Sequence, residues 1–519
     1  MVARNRRQFL EEVGRGMLVA SVGTATAVDL GLMRSLQAAE ADETRLRFGA
    51  LEPLVSLMQE TSPESLLPLL VDRLRQGTSL QTVVSAAALA NARAFGGQDY
   101  TGYHTLMALV PAYQMSKLLP AERQALPVLK VVHRNASRIQ EQDAHHHDTL
   151  HVVPRRSPVD AVDAGRQLRD SVHAVDWDRA ESQFAQIASG PVGEAFNHLQ
   201  FAVQDEVDVH RVVLAWRSWS LLDLTGQEHA HSLLRQSVRY CLQVESSINE
   251  RNYPRCSIRE LLPTLLDQHD LMDRLTGTRP ADDSWIEELA HVIFTGTREQ
   301  GATAVAAALS EGFDQEDVGA AISLAANLLV LHDPGRIERY STPVKPPGCV
   351  HGDSVGVHAS DAANAWRQIA RVSNQRNQLA SLIVAGYHTA GQQELVTSSP
   401  YPYFSQLEEV TSIGGPALLD DLDEAIRSND QARACAVAHR YGEQNLAPRP
   451  LFDLLLKYAV SEEGALHAEK YFQTVSEEFA TARPAFRWRQ AVALARVTAS
   501  EYGFPSPGYH QACELLGVT

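Results

Sequence analysis

Five blocks of this sequence occur twice in the same order, which narrows the choice of fold more than any other feature. Leu74-Arg75-Gln76-Gly77, followed by an apolar stretch to Asn91, is matched by Leu309-Ser310-Glu311-Gly312 and a stretch to Asn327. Asp99-x-x-Gly102-x-His104 is matched by Asp353-x-x-Gly356-x-His358. His133 follows His104 at nearly the distance at which His388 follows His358. Ala202-Val203-x-Asp205-Glu206-x-x-x-His210 is matched by Ala459-Val460-x-Glu462-Glu463-x-x-x-His467, and Arg235-Gln236 by Arg489-Gln490. Ordered self-similarity on this scale predicts a tandem duplication.

The repeated blocks read as helical. Leu66 to Leu74, Leu80 to Phe95, Val318 to Leu331 and Leu451 to Val460 place apolar residues at i, i+3, i+4 and i+7. Gly and Pro fall mainly between such stretches. The expectation is an all-α protein of two tandemly duplicated halves, 45–282 and 283–519, packed about a pseudo-two-fold axis so that each covers the other's apolar face. The offset between the copies changes once, and an insertion explains it: the Pro-rich loop 332–349 of the second half. A second irregular stretch, 143–175, carries His145-His146-His147 and reads as a surface excursion or lid.

The duplicated histidines are the candidates for chemistry. His104, His133 and His210 recur as His358, His388 and His467, and Glu206 and Glu463 each precede a histidine by four residues. On a helix that spacing puts carboxylate and imidazole on one face. Imidazole with carboxylate is a ligand set for iron, zinc or manganese. The expectation is that the six histidines ligate metal and that Glu206 and Glu463 ligate it or take a proton. They would form two related sites or one central site. The bland alternative is buried, hydrogen-bonded histidines kept by packing. Asp99-x-x-Gly102 and its mate read as the turn and cap opening a helix, placing His104 and His358 in first turns.

Other chemistries find less support. Gly352-Asp353-Ser354-Val355-Gly356 fits the nucleophile elbow of a serine hydrolase, but the strand which that motif follows is missing from the pattern. No nucleotide-cofactor loop, metalloprotease helix or haem-attachment motif occurs. The formal charge of −17 argues against nucleic acid as a partner. Five scattered cysteines do not make a disulfide framework, although Cys241 and Cys256 would be the pair to bridge in an oxidising compartment.

The first forty residues read as an address. Arg4-Asn5-Arg6-Arg7-Gln8-Phe9-Leu10 precedes a small-residue apolar stretch from Met17 to Val28, with cleavage sites at Ala25-Thr26-Ala27 or Ala38-Ala39. This resembles a bacterial twin-arginine export signal. It implies the twin-arginine export machinery as a partner and a periplasmic location, with an uncut signal as the alternative anchor. Elsewhere no apolar run is long enough to span a bilayer, so no transmembrane span is expected in the mature protein.

The segment Tyr103-His104-Thr105-Leu106-Met107-Ala108-Leu109-Val110-Pro111 through Leu118-Leu119-Pro120 resembles the helices of the questin oxidase-like family, in which a histidine opens a helix ending in Leu-Leu-Pro. Phe196-Asn197-His198-Leu199-Gln200-Phe201-Ala202-Val203 is similar to a second helix of that family. Those matches support His104 and His198. The resemblance implies an α-helical, histidine-rich oxidoreductase linked to oxygen insertion. The expected function is therefore an exported metal-dependent oxidoreductase on an unknown small organic substrate, with oxygen activation at non-haem iron as its leading form. A non-enzymatic helical binding or scaffold protein of the bacterial envelope is the alternative.

Overall fold

The computed structural model describes residues 44–143, 148–154, 163–273, 277–352, 354–392 and 396–518. The export-type segment, His145–His147 and Asp353 lie outside the described residues. The chain divides into two units. In the smaller, Val152 N donates to Thr44 O at 2.8 Å beside an isolated bridge between Arg45 and His151. The larger, Phe48–Thr149 with Val153–Thr519, spans both sequence halves without separating them.

The fold is all-α, and among the described residues β structure is limited to four isolated bridges. The principal helices of the first half are α1 (Glu52–Glu60), α2 (Pro63–Arg75), α3 (Leu80–Phe95), α4 (Tyr100–Ser116), α5 (Leu126–Glu141), α6 (Ala164–His173), α7 (Trp177–Ile187), α8 (Val192–Val203), α9 (Val209–Ser220), α10 (Ala230–Arg251) and α11 (Ile258–Gln268). Those of the second are α12 (Asp283–Thr295), α13 (Arg298–Ser310), α14 (Gln315–Leu331), α15 (Val355–Val372), α16 (Gln375–Thr389), α17 (Gly415–Arg427), α18 (Gln431–Glu443), α19 (Pro448–Ser461), α20 (Ala468–Thr481), α21 (Arg487–Glu501) and α22 (Pro507–Leu516).

Packing repeats with that order. α3 lies between α4 and α10, as α14 lies between α15 and α21; α4 packs on α5 and α9, as α15 packs on α16 and α20. α3 and α14 are buried on nearly all sides, so their apolar residues run around the helix rather than along one stripe. The last helix of each half leaves its own half: α11 packs on α13 and α16, and α22 packs on α2 and α5.

Local chemistry fixes the helix ends. Ser79 Oγ accepts from Thr82 N at 3.1 Å to open α3, and Gly96, at φ 54°, closes it in the left-handed conformation. Thr297 and Gln300 form a reciprocal capping box on α13.

Buried charge joins the halves. Lys130 and Arg134 of α5 reach Glu469 of α20 at 2.9 and 2.8 Å, and all three are largely or wholly buried. On the other flank Asn377 of α16 donates to Asn197 of α8 through its O at 2.9 Å and its Oδ1 at 3.0 Å.

Three sequence expectations change. The stretch 143–175 is not wholly irregular, because Ala164–His173 is helical. Leu168 and Val172 supply its buried face, and a side chain at Gly165 would strike the Phe201 ring. Cys241 and Cys256 are both free; Cys241 is buried in α10, while Cys256 Sγ lies 3.4 Å from Tyr387 Oη. Gly102 and Gly356 do not reverse the chain. Each sits inside a helix where a Cβ would meet Phe95 or the Val330 backbone, so each serves close packing.

Candidate metal centre

α4, α9, α15 and α20 form a closed circuit, each packed on the next and α20 returning to α4. Each brings one histidine to the centre from its N-terminal end. Asp99 caps α4 by accepting from Gly102 N at 2.7 Å, leaving His104 as the fifth helical residue. Ser354 caps α15, leaving His358 fourth. Asp208 caps α9 with His210 second, and His467 itself precedes α20.

The four imidazoles meet. Ring centroids are 4.8 Å apart for His104 and His210, 5.6 Å for His210 and His358, 5.1 Å for His358 and His467, and 5.2 Å for His467 and His104. His358 Nε2 and His467 Nε2 are 3.1 Å apart. The Nε2 atoms of His104 and His210 are buried without a hydrogen-bond partner. On three of the rings the other nitrogen is engaged: His104 Nδ1 with Tyr100 O at 2.7 Å, His467 Nδ1 with Ala465 O at 2.9 Å, and His210 Nδ1 with Asp208 Oδ1 at 3.2 Å. A carbonyl partner makes Nδ1 the protonated nitrogen of a neutral ring and leaves the Nε2 lone pair facing the centre.

Among the described residues no three His, Cys, Asp or Glu side chains are already closed into a metal cage. The four imidazoles nevertheless lie within ring-contact distance of one another. An ion bound at about 2.1 Å sets neighbouring ligand nitrogens roughly 3.0–3.4 Å apart and their ring centres about 5 Å apart. The His358–His467 nitrogen pair falls within the first range, and the four ring-centre separations lie around the second.

Electrostatics favour the ligand-competent form. Burial pushes His104 and His467 well below the ordinary imidazole value, and the nearby Lys470 adds to it. Burial, then His210, brings His358 down to about 3. Burial alone would raise the Asp208 carboxyl; bonds from His210 and from Tyr240 Oη outweigh it and hold it low. Lys470, three residues beyond His467, is buried, and that burial lowers its ammonium to about 7 against the opposing pull of Asp361. Burial raises Asp361, which accepts from Thr474 Oγ1 at 2.7 Å. Tyr103 stacks on His104 at 5.0 Å, while Tyr100 lies 4.3 Å from the same ring and keeps 48% of its surface exposed.

The other candidates stand elsewhere. His133 packs against Gly508 of α22. His388 is half-buried and accepts at Nδ1 from Trp366 Nε1 at 3.3 Å. His198 is half-buried on α8. Glu206 and Glu463 do not share a helix face with His210 and His467, because each lies in the bend that precedes the helix. Arg259 holds Glu206 at 3.1 Å and Arg134 holds Glu463 at 3.3 Å. The carboxylate that does touch the site is Asp208, which the sequence analysis passed over. Its signal was the Asp-x-His spacing of a cap two residues before His210.

Ser354 is a helix cap rather than a nucleophile elbow. Its Oγ accepts from Val357 N at 3.3 Å and donates to Asp333 Oδ2 at 2.6 Å, and among the described residues no strand precedes it. His351 is turned to Ser500 Oγ and Val344 O, both at 3.0 Å.

Compared with protein-family models, curated proteins and solved structures, the chain finds no match.

Proposed function

We propose that this chain is an exported, metal-dependent oxidoreductase whose single centre holds one divalent transition metal on His104, His210, His358 and His467. The convergence of four imidazoles, with two orphaned Nε2 atoms among them, is the observation that carries this reading. Neutral imidazole suits iron, zinc and copper. Iron is the choice within that set, because when bound it would supply the dioxygen chemistry that the oxidoreductase reading calls for. The likeness of the His104 helix to questin oxidase-like proteins gives the same lean toward redox chemistry. The export signal supports a periplasmic location. The ordered pairing of α1–α11 with α12–α22 supports a tandem duplication whose copies each supply two ligands.

Within this reading the protein does three things. Carbonyls and Asp208 orient the rings. The apolar packing of α4, α9, α15 and α20 excludes water from the ligand side. Asp208 would hold a negative charge behind His210, at the ring nitrogen that faces away from the metal. Elemental analysis of the untagged exported protein tests the proposal. The expected result is about one equivalent of iron, lost in both His104→Ala and His467→Ala; full occupancy in either variant rejects it.

A scaffold function has one observation in its favour. A cleft of about 730 Å³ opens beside α5 and α19, lined by Leu118, Leu126, Leu456, Val460 and Tyr509 with Arg449 at its rim. A metal-free protein that keeps full thermal stability after reconstitution would favour that account.

A further inference from the structure

We infer that Tyr240 is a second redox group of the four-histidine centre, giving an electron through His210 and its phenolic proton to Asp208, with Tyr103 and Tyr100 connecting it to the surface. This inference rests on the metal-centre reading of the same histidines. It adds what a single iron lacks, a store for a second oxidising equivalent.

Contacts join Tyr240 to a ligand ring through one carboxylate. Tyr240 Oη donates to Asp208 Oδ2, and Asp208 Oδ1 lies 3.2 Å from His210 Nδ1. Burial, then the Asp208 charge, pushes the phenol above its ordinary range, so it keeps its proton at rest. A protonated phenol gives up an electron readily only where a base stands at its oxygen. Asp208, held in the carboxylate form, is that base.

The rings continue outward. Tyr103 stands edge-on to Tyr240 at 5.2 Å between centroids, stacks on His104 at 5.0 Å and lies 5.4 Å from His210. Tyr100 follows, 5.6 Å from Tyr103 and 4.3 Å from His104. Tyr240 and Tyr103 are buried, whereas Tyr100 keeps nearly half its surface exposed. The phenols thus make a line of contacts from the Asp208 carboxylate to solvent, flanked by the two imidazoles of the first half.

Packing does not call for this set. The second half holds its histidines in the same helical frame with Ser354, Val357, Leu494 and Ala465 at the positions matching Tyr100, Tyr103, Tyr240 and Asp208. Nor does ring orientation call for the carboxylate, because the Ala465 carbonyl orients His467 as Asp208 orients His210. Small and aliphatic side chains therefore satisfy the frame. The phenols with their carboxylate occur together in one copy only, and they supply an oxidisable group that the other copy lacks.

The step balances against hydrogen peroxide. Its O–O bond breaks, and two electrons with two solvent protons complete two waters. One electron comes from bound iron(II). The other comes from Tyr240, whose O–H bond breaks as its proton passes to Asp208 Oδ2. The products are iron(III), a neutral phenoxyl radical and a carboxylic acid. A one-electron reductant at Tyr100 then refills Tyr240 by way of Tyr103, and Asp208 returns the proton.

To test this, the full chain is loaded with iron(II), its iron content is measured, and it is mixed with hydrogen peroxide and frozen for EPR. The expected result is an organic radical signal that narrows when the protein is made with ring-deuterated tyrosine, an arm that needs no substitution. Tyr240→Phe is expected to abolish the signal with iron content unchanged. Tyr253→Phe, at an exposed ring elsewhere, is expected to leave it intact. Tyr103→Phe is expected to keep the signal and prolong it severalfold against ascorbate. An iron-loaded chain without a tyrosine radical, or with one that survives Tyr240→Phe, overturns the inference and leaves the metal reading standing. A radical lifetime indifferent to both Tyr103→Phe and Tyr100→Phe overturns the connection to the surface. A chain that takes up no iron overturns both the metal reading and the inference.

Discussion

The two halves build the same corner of the centre with different material behind it. In the first half His104 and His210 lie among Tyr100, Tyr103 and Tyr240, and the residues three positions beyond them are Met107 and Val213. In the second half the corresponding positions beyond His358 and His467 are Asp361 and Lys470. All four are buried. A shared helical frame thus needs only the histidine at each corner. The first half surrounds its pair with rings, and the second places opposite charges beneath its own and adds the loop 332–349. Positioning repeats, whereas charge does not.

The largest expected effect asks whether the halves share one centre. His104→Ala or His210→Ala on one side, and His358→Ala or His467→Ala on the other, should each reduce bound metal by at least about tenfold, since even loss of an orienting partner costs that much. Metal analysis that finds half the metal retained in each would mean two separate sites and break the comparison.

Next come the buried ion clusters. Glu469 of α20 holds Lys130 and Arg134 across the halves, while Glu245 of α10 holds Arg211 and Arg259 within the first. Glu469→Gln should cost about 3–5 kcal/mol in urea unfolding, because two buried cations lose their counter-charge. Glu245→Gln should cost a similar amount. A much smaller loss for Glu469 would mean that the junction between halves is softer than either interior.

A smaller effect is read in acid. Burial lowers His388 to about 4, so between the ordinary imidazole value and that point the unfolded chain binds a proton the folded chain refuses. Stability is then full above about pH 6.5 and falls toward pH 4, by roughly 3 kcal/mol from this residue. His388→Gln should flatten that part of the profile. His133, whose imidazole is also lowered by burial but is offset by the charges of Glu64 and Glu463, should contribute less when replaced in the same way.

Smallest are the caps. Ser354→Ala should cost about 1 kcal/mol. Asp99→Ala should cost more, because Asp99 also receives Arg138 through Nε at 2.9 Å and Nη2 at 2.7 Å. Equal thermal shifts would show that the Arg138 contact adds nothing.

The helices were legible because their signal is local: the apolar period that marks Leu80 to Phe95 is a property of those residues alone. Recurrence separated the duplicated histidines from the other histidines, and four of the six meet. It could not separate His133 and His388 from them, because recurrence registers packing as faithfully as ligation, and these two serve helix contacts. Glu206 and Glu463 misled for a physical reason. The i, i+4 argument assumes a continuous helix, and the chain bends between each glutamate and its histidine. Lys470 and Asp361 were invisible, because a buried charge is defined by what lies around it in space.

The exchanged last helices have a consequence for how the molecule is made. α5 carries His133, Lys130 and Arg134, yet its outer side is sealed by α22, which ends at Leu516. α22 is made long after α5, so the first half cannot finish packing until most of the second half has been built. The two halves therefore complete each other, and neither is a finished unit by itself.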